Sequence, residues 1–403
     1  MAMETNNTPA LRFPSFTEEW EEKTLGEVFK TYSGGTPDTT KKKAYYGGTI
    51  PFIRSAEINK EETELFLTQE GLEKSSAKLV NKGDLLVALY GANSGDSAIA
   101  KINGAINQAV LCLQSENSNV FVQNFLQHNR ELIIQKYLQG GQGNLSGEII
   151  KSIRVPFPSS KEQQKIADCL SSLDALITAA QERLDALKAH KKGLLQRLFP
   201  CEGSKTPELR FAGFKGAWEE KTLGDIGEPL MCKRILKEKT TNCCSEGNVP
   251  FYKIGTFGQK ADAYIPKIIY DEYKGKYSFP KKGEILISAS GTIGRLVIYD
   301  GEPAYFQDSN IVWVANDQKA LLNSFLYYIY TTLKWQTSDG GTINRLYNSD
   351  LKRMKVSYPS LPEQRKIASC LSSLDTLIEV QQERIALLKT HKKGLLQQLF
   401  PNY

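Results

Sequence analysis

Histidine and paired cysteine, the side chains that most often bind metals or carry catalysis, are scarce in this sequence. Its 403 residues include 3 histidines and 7 cysteines, and no two cysteines have the C-x-x-C spacing of a zinc site. The cysteines are odd in number and scattered along the chain, which is typical of proteins in a reducing cytoplasm. We therefore expect no metal site and a cytoplasmic location.

Long apolar runs are also missing. A membrane-spanning helix needs about 20 consecutive apolar residues, and no segment approaches that length. Residues 1–9 are polar and lack the apolar core of a secretion signal. With 40% hydrophobic and 24% charged residues, the chain has the balance of a folded soluble protein, so we expect no membrane partner. The net charge of +6 does not by itself indicate an anionic partner.

Motifs of several enzyme classes are absent as well. There is no G-x-x-x-x-G-K-[ST] phosphate loop, which argues against an ATPase. The chain also lacks the [NDS]-P-P-[YFW] tetrapeptide of amino-methyltransferases. A nuclease motif could begin at residues 37–38, but no E-x-K follows it at the right spacing. We therefore predict no catalytic residues and a chain that is not an enzyme.

What the chain does contain is an internal duplication. The motif P-x-L-R-F followed by W-E-E-K-T-L-G occurs at residues 9–26 and returns at residues 207–224. A second block, residues 160–200, returns at residues 361–401 with 28 identities in 41 positions. A period of about 200 residues is too long for a solenoid. The sequence therefore indicates a module that occurs twice, each copy consisting of a constant frame and a variable domain.

The block at residues 160–200 has the pattern of a long helix in both copies. Apolar residues recur at spacings of four and three, and the polar members of this seam are Lys191 in the first copy and Gln381 and Lys392 in the second. Such heptads predict that the two helices pack as an antiparallel coiled coil. We expect the two lysines to extend outward along their aliphatic stems. The 37 residues from Glu162 to Leu198 would form a rod of about 55 Å.

The variable segments, residues 27–150 and 225–350, have a mixed pattern. Short runs of aliphatic and β-branched residues alternate with turn signals, and helical stretches follow near residues 120–138 and 319–335. Each segment therefore predicts a domain of the α+β class.

Several loops of these domains combine lysine, arginine, amide and aromatic side chains. Lysine clusters bind phosphates, arginine pairs with guanine edges, and asparagine and glutamine pair with adenine edges. Because such loops recur at similar places in both domains, we predict that each domain enters the major groove of DNA. The predicted DNA-binding residues of the first domain are Lys41, Lys42, Lys43, Tyr45, Tyr46, Asn93, Asn107, Gln108, Gln142 and Asn144. Those of the second domain are Lys233, Arg234, Thr292, Arg295, Gln307, Asn310, Asn344 and Arg345.

Each variable domain is preceded by P-x-L-R-F and W-E-E-K-T-L-G, and is followed by a helix that begins E-Q-x-K-I-A-x-C-L-S-S-L-D and ends H-K-K-G-L-L-Q-x-L-F-P. This arrangement, which covers residues 9–401, resembles the specificity subunit of type I restriction-modification systems. Residues 33–37, with the sequence S-G-G-T-P, are similar to the opening of the target recognition domains of that family. The second domain departs from the pattern there, because E-P-L-M-C-K occupies residues 228–233.

The resemblance implies an internal pseudo-two-fold symmetry, with DNA recognition by this chain and catalysis by partner subunits. Each recognition domain would read one half of a bipartite, asymmetric site on double-stranded DNA, and the two helices would set the unread spacer. Two modification subunits would methylate adenine, and two ATP-dependent restriction subunits would translocate and cleave DNA. This chain would bind no cofactor; S-adenosylmethionine, ATP and Mg would be used by the partner subunits. The expected boundaries are a disordered N-terminus at 1–8, recognition domain 1 at 9–157, helix 1 at 158–200, a linker at 201–206, recognition domain 2 at 207–358 and helix 2 at 359–403.

Two alternatives remain open at the level of the sequence. One is a stand-alone nuclease or methyltransferase, which activity of the purified chain without partners would favour. The other is a coiled-coil scaffold that does not bind nucleic acid, which the absence of salt-dependent DNA binding would favour.

Overall fold

The structure is a computed structural model that divides into two compact units. Unit 1 comprises residues 1–182 and 382–403, and unit 2 comprises residues 183–381. Residues 1–7 of the predicted disordered N-terminus lie outside the described part of the chain. The described residues are 8–115, 119–137, 144–335 and 345–401.

Unit 1 contains strands, short helices and part of each long helix. Its strands are β1 (Glu21–Thr24), β2 (Lys30–Ser33), β3 (Tyr46–Ile53), β4 (Phe66–Leu67), β5 (Lys78–Val80), β6 (Leu85–Ala88), β7 (Ser97–Ile99), β8 (Gly104–Ile106), β9 (Val110–Gln114) and β10 (Arg154–Phe157). Its helices are α1 (Leu25–Val28), α2 (Lys42–Tyr45), α3 (Gln69–Glu73), α4 (Asn119–His128), α5 (Arg130–Tyr137), α6 (Gly147–Ser152) and the first part of α7 (Ser160–Leu198). Short 3₁₀ helices occupy Thr39–Lys41, Ser55–Glu57 and Gly91–Asn93.

Unit 2 contains a similar series of elements. Its strands are β11 (Glu219–Thr222), β12 (Gly227–Met231), β13 (Asn248–Tyr252), β14 (Tyr264–Pro266), β15 (Ile285–Ser288), β16 (Leu296–Ile298), β17 (Tyr305–Phe306), β18 (Ile311–Asn316) and β19 (Lys355–Tyr358). Its helices are α8 (Leu223–Ile226), α9 (Lys267–Lys276), α10 (Asn323–Thr332), α11 (Asn348–Arg353) and the first part of α12 (Leu361–Leu399), with a 3₁₀ helix at Lys237–Lys239.

A four-stranded antiparallel sheet lies at the centre of each unit. Its strand order is β2-β9-β6-β7 in unit 1 and β12-β18-β15-β16 in unit 2. Successive side chains of a strand point to opposite faces of the sheet, so Leu85 and Val87 of β6 pack in one core and Leu86 and Ala88 pack in another. Further sheets have the orders β4-β3-β8-β5 and β14-β13-β17, and strand pairs β1-β10 and β11-β19 complete the units. The predicted α+β class is confirmed.

The repeated P-x-L-R-F motif fixes the start of each long helix through its arginine. Arg12 binds Glu162 with two parallel hydrogen bonds, Nε to Oε1 at 2.7 Å and Nη2 to Oε2 at 2.8 Å. In unit 2, Arg210 binds Glu363 in the same way at 2.8 Å and 2.8 Å. Both glutamates are 1% exposed. A carboxylate this deeply buried requires a charged partner, which explains why both residues of the pair recur in the repeat.

The leucine of the same motif contacts the end of a long helix. The Leu11 backbone N–H donates to the Gln398 carbonyl of α12 at 2.8 Å, and the Leu209 N–H donates to the Arg197 carbonyl of α7 at 2.8 Å. The last carbonyls of a helix have no partner within the helix, so this contact supplies one in each unit.

The phenylalanine that directly follows each long helix is part of a domain core. Phe400 lies 5.2 Å from Phe121 in unit 1, measured between ring centroids, and Phe199 lies 5.3 Å from Phe325 in unit 2. Both rings are buried. Each recognition domain is therefore completed by the end of the helix that belongs to the other copy of the repeat.

The two helix segments within each unit are antiparallel. In unit 1, Leu399 of α12 packs in the same core as Ile166 of α7, whereas Lys392 of α12 reaches the later residue Asp174. Unit 2 has the equivalent order, because Leu198 shares a core with Ile367 and Lys191 reaches Asp375.

The expectation that Lys191 and Lys392 extend outward is wrong. Lys392 Nζ lies 2.6 Å from Asp174 Oδ1, and Lys191 forms the equivalent ion pair with Asp375. The antiparallel arrangement brings the aspartate of L-S-S-L-D opposite the lysine of H-K-K. A nearby carboxylate thus binds the ammonium group that would otherwise have to reach water.

Candidate DNA interface

The predicted DNA-binding residues of unit 1 fall into two groups, one around an end of its central sheet and one in a groove around the lysine run. Ser33, the last residue of β2, pairs with Leu111, and Ala88, the last residue of β6, pairs with Val110. In an antiparallel sheet this pairing places the loops after β2, after β6 and before β9 at the same end. We call these loops, residues 34–37, 89–96 and 107–109, the loop edge of unit 1.

The loop after β2 makes a close approach to the loop before β9. Thr36 Oγ1 donates to Gln108 Oε1 at 2.6 Å, and the Asn107 side-chain oxygen accepts from the Ala109 N–H at 3.1 Å. A Cβ on Gly34 would lie 1.7 Å from the Ile106 carbonyl oxygen. Only glycine permits this approach, which gives the S-G-G-T-P run a structural reason in unit 1.

The loop after β6 is joined by Asn144, which follows α5 in the chain. The Gly91 N–H donates to Asn144 Oδ1 at 3.3 Å. Asn93 lies in the same loop and lines a polar cleft of about 290 Å³. Arg130 lies beside Asp96 in this cleft, with 2.8 Å between Nε and Oδ1.

The cleft also contains polar residues that the sequence analysis did not select, Asn59, Gln127 and Arg130. Gln127 and Arg130 belong to α4 and α5, where no loop pattern marks them. Only the packing of these helices beside the loop edge brings them to the cleft.

The lysine run of unit 1 lines a separate open groove of about 770 Å³ between residues 40 and 47. Lys41, Lys42 and Lys43 are exposed there. Asp38 caps the 3₁₀ helix at Thr39–Lys41, and hydrogen bonds from the Thr40 hydroxyl and N–H lower the pKa of its carboxyl.

The two tyrosines beside the lysine run have structural contacts. Tyr45 is buried, and its ring lies 5.6 Å from Lys41 Nζ. The Tyr46 hydroxyl donates to the Pro37 carbonyl at 3.0 Å, and burial raises its pKa. Tyr46 therefore lines the groove beside the three lysines, and Tyr45 packs beneath the lysine run.

Unit 2 has an equivalent loop edge at the corresponding end of its sheet. Met231, the last residue of β12, pairs with Val312, and Ser288, the last residue of β15, pairs with Ile311. The loops at this end, residues 232–236, 289–295 and 307–310, form the loop edge of unit 2. Lys233, Arg234, Thr292, Arg295, Gln307 and Asn310 lie on it, and Arg345 lies beside it.

The side chains of Arg295 and Gln307 both form hydrogen bonds with the backbone of Ile254. Arg295 donates to the Ile254 carbonyl at 2.5 Å and to the Phe257 carbonyl at 3.3 Å, and the Ile254 N–H donates to Gln307 Oε1 at 2.9 Å. The guanidinium of Arg295 is thus occupied in holding the loop that follows β13.

Asn310 and Arg345 form a second polar group on this edge. The Ser290 hydroxyl donates to Asn310 Oδ1 at 2.8 Å, and Arg345 Nη2 donates to the Ser309 carbonyl at 2.7 Å. Ser309 has a φ of 55°, a left-handed conformation that is uncommon for residues other than glycine. The hydrogen bond from Arg345 helps to hold this turn.

The other predicted residues of unit 2 are more exposed. Arg234 and Thr292 are exposed, and Lys233 lies with its ammonium 5.3 Å from the Tyr277 ring centroid. Lys237 and Lys239, which the sequence analysis did not select, continue the basic surface on the following 3₁₀ helix. Gln142 and Asn344 lie outside the described residues.

Among the residues that the structure describes, no group of three or more histidine, cysteine, aspartate or glutamate side chains could hold a metal ion. Within the same described ranges, no helix is long and apolar enough to cross a membrane.

Two units with the same frame and different loop edges define a duplicated recognition module. The sequence profile described as "Type I restriction modification DNA specificity domain" matches residues 17–189 and residues 215–390. The chain therefore belongs to the type I restriction-modification DNA specificity family. This membership confirms the predicted role in DNA sequence recognition, as a non-catalytic subunit, over the stand-alone enzyme and the scaffold.

Individual relatives agree with the family. A protein of Haemophilus influenzae named as a type I restriction enzyme specificity subunit is 47% identical over 228 residues, which is 57% of each chain. The MjaIX specificity subunit of Methanocaldococcus jannaschii is 26% identical and aligns with 95% of this chain and 93% of its own length. The crystal structure of an S subunit from M. genitalium has a TM-score of 0.65 at 19% identity, covering 98% of this chain and 100% of that chain. The last similarity shows a common fold.

Proposed function

We propose that the chain reads a bipartite, asymmetric DNA site in the cytoplasm, with one half-site read by each unit and the unread spacer set by the two long helices. In doing so it directs adenine methylation and DNA cleavage by its partner subunits. The observation that carries this proposal is that two loop edges with different side chains are built at the same end of equivalent sheets.

The candidate side chains of the loop edges and of the lysine groove have two different tasks. Lysines bind phosphates and hold the protein in place, whereas side chains at base edges select the sequence. Lys41, Lys42 and Lys43 line an open groove, and this supports a phosphate-binding role for them. Gln108 and Arg234 are exposed, and this supports a role in base recognition.

Arg295 and Arg345 support the proposal in a different way. Both guanidinium groups donate to backbone carbonyls of their own unit. We propose that they position the loops of unit 2 and that the neighbouring exposed side chains contact the bases.

DNA binding tests this assignment when the chain is assayed together with its modification partner. Replacing Lys41, Lys42 and Lys43 with alanine should weaken binding to every sequence alike. The slope of log affinity against log salt should fall by up to about 0.9 for each phosphate that the protein no longer neutralises. Lys101→Ala is the matched control, since Lys101 is an exposed lysine that follows β7 at the opposite end of the sheet. An unchanged salt slope in the triple variant would contradict the phosphate-binding role.

The partners are proposed to be two modification subunits and two restriction subunits. Both copies of the frame carry three identical residues on the surface of the long helix. The second follows the first by seven residues and the third follows the second by four, and we call this set the repeated stripe. Its apolar members, Leu176 and Leu377, are 52% and 47% exposed. An apolar residue that is exposed twice at the same position fits a partner that binds twice. The repeated stripe consists of Lys165, Ser172 and Leu176 in unit 1 and Lys366, Ser373 and Leu377 in unit 2.

The partner assignment predicts that assembly fails while folding is preserved. Leu176→Glu combined with Leu377→Glu should reduce the amount of modification subunit that co-purifies with the chain, because a charge at each position would be buried in the interface. Leu387→Glu is the control, since Leu387 is 70% exposed but is replaced by Ala186 in the other copy. Unchanged co-purification of the double variant would exclude the repeated stripe as the docking surface.

No cofactor is proposed for this chain itself. S-adenosylmethionine would serve the modification subunits, and ATP and Mg would serve the restriction subunits. The chain's own contribution is the placement of its partners on the DNA.

A further inference from the structure

Each unit contains an ion pair in the seam between its antiparallel helix segments, and these two ion pairs are related by the repeat. Lys392 contacts Asp174 in unit 1 at 2.6 Å, and Lys191 contacts Asp375 in unit 2. Both lysine side chains are 19% exposed, whereas Asp174 is 49% and Asp375 is 29% exposed. Asp174 and Asp375 are equivalent positions of the repeat, and so are Lys191 and Lys392. The helices therefore have the same alignment in both units.

The heptad pattern does not by itself determine this alignment, which the packing of Phe400 and Phe199 in the domain cores also supports. A heptad pattern matches itself again after a shift of seven residues, so the leucines and isoleucines would still meet apolar partners. In such a shifted alignment Lys392 would lie opposite Ala167 or Gln181, and Asp174 would lie opposite Ile385 or Leu399. The cost of losing the partner falls mainly on the lysines, which are 19% exposed, and a charge left unpaired in a partly buried seam favours the alignment that pairs it.

In unit 2 the ion pair is also tied to the recognition domain. The Tyr328 hydroxyl of α10 donates to Asp375 Oδ2 at 2.8 Å, and Lys191 Nζ lies 5.6 Å from the centroid of the Tyr328 ring. Burial and the contact with Asp375 raise the pKa of Tyr328, so its hydroxyl remains a donor. A shift of the helices would break this contact together with the ion pair.

We propose that the Asp174–Lys392 and Asp375–Lys191 ion pairs are positioning pairs that select the alignment of the long helices and thereby the spacer of the DNA site. The second half of this statement rests on the proposed role of the helices in setting the spacer. At 1.5 Å per residue, a shift by one heptad moves one helix by about 10 Å along the other, which corresponds to roughly three base pairs of DNA.

The alignment can be measured without DNA by spin-label distances on the full chain. Ser172 and Lys393 in unit 1, and Ser373 and Lys192 in unit 2, are exposed residues adjacent to the ion pairs, and each can be replaced by cysteine after the native surface cysteines are replaced by serine. Lys191→Glu with Lys392→Glu places like charges together. We expect a second distance population displaced by up to about 10 Å. Lys188→Glu with Lys389→Glu, at exposed positions on the same helices, should keep the single original distance.

A variant with exchanged charges distinguishes loss of the ion pairs from general misfolding. Adding Asp174→Lys and Asp375→Lys to the two reversals re-forms both ion pairs with the charges exchanged, and should restore folding and the original distance. The proposal is overturned if the reversals leave one unchanged distance. It is equally overturned if the exchanged Asp174–Lys392 pair fails to restore the distance in unit 1, where the aspartate has, among the described residues, no contact equivalent to that of Asp375 with Tyr328.

Sequencing of methylated DNA from cells that carry the chain and its partners tests the consequence for the spacer. The reversed variants should methylate the original site on the order of tenfold less and acquire sites whose spacer differs by about three base pairs. If the spin-label distances shift while the spacer does not, the ion pairs still select the alignment, and the role of the helices in setting the spacer is wrong. If the distances do not shift, the inference itself fails.

Discussion

At the scale of single residues, the repeated motifs can be assigned to individual contacts. The arginine of P-x-L-R-F binds a glutamate that is 1% exposed in each unit. The phenylalanine that follows it contacts a lysine of the long helix. The ring centroid of Phe13 lies 5.8 Å from Lys165 Nζ in unit 1, and that of Phe211 lies 5.8 Å from Lys366 Nζ in unit 2. These contacts join the start of each long helix to the frame of its own unit.

The ion pair between Arg12 and the buried Glu162 predicts a large effect on stability. Arg12→Ala should lower the free energy of unfolding by about 3 kcal/mol, because it leaves Glu162 buried without a partner. Arg197→Ala is the control, since it removes an exposed ion pair with Glu208 and should change stability by less than about 1 kcal/mol. Denaturant unfolding monitored by circular dichroism measures both. Equal destabilisation of the two variants would contradict the structural role of Arg12.

The sequence was sufficient to select polar loop residues but not to assign their contacts. Gln108, Asn144, Arg295 and Asn310 were selected by side-chain type, and the structure shows each of them in a hydrogen bond with another loop or strand. Those hydrogen bonds depend on loop backbone geometry, which a single sequence does not reveal. Whether these residues contact DNA stays a prediction.

At the scale of elements, the long helices were the most predictable part of the fold. Their heptad pattern predicted segments within residues 158–200 and 359–403, and the helices occupy Ser160–Leu198 and Leu361–Leu399. The heptad pattern shows which residues are apolar but not which charged residue lies opposite which. For that reason the partners of Lys191 and Lys392 were not foreseen.

The role of the helices in setting the spacer predicts the effect of removing one heptad from each. Deleting residues 177–183 and 378–384 keeps both ion pairs in a common alignment, because the deletions lie between Asp174 and Lys191 and between Asp375 and Lys392. The unread spacer of the methylated motif should shorten by about three base pairs. Sequencing of methylated DNA measures this change. A spacer of the original length would contradict the proposed role of the helices.

At the scale of the whole molecule, the duplication was evident from the sequence. The sequence did not show that the end of each long helix packs in the recognition domain of the other repeat. The repeat of about 200 residues predicted two domains, and two compact units are found. The units do not coincide with the repeats, since unit 1 includes residues 382–403. Phe199 and Phe400 have the same sequence surroundings, so a single sequence does not show which recognition domain each of them completes.

The central claim is that each unit reads its own half of the DNA site. It is tested most directly by replacing residues 27–150 with the corresponding segment of another family member and mapping the methylated motif by sequencing, with the modification partner present. The replaced segment carries the loop edge of unit 1 and leaves unit 2 and both long helices unchanged. We predict that one half of the motif changes, while the other half and the spacer length stay the same. A motif that changes in both halves, or in neither, would contradict the account.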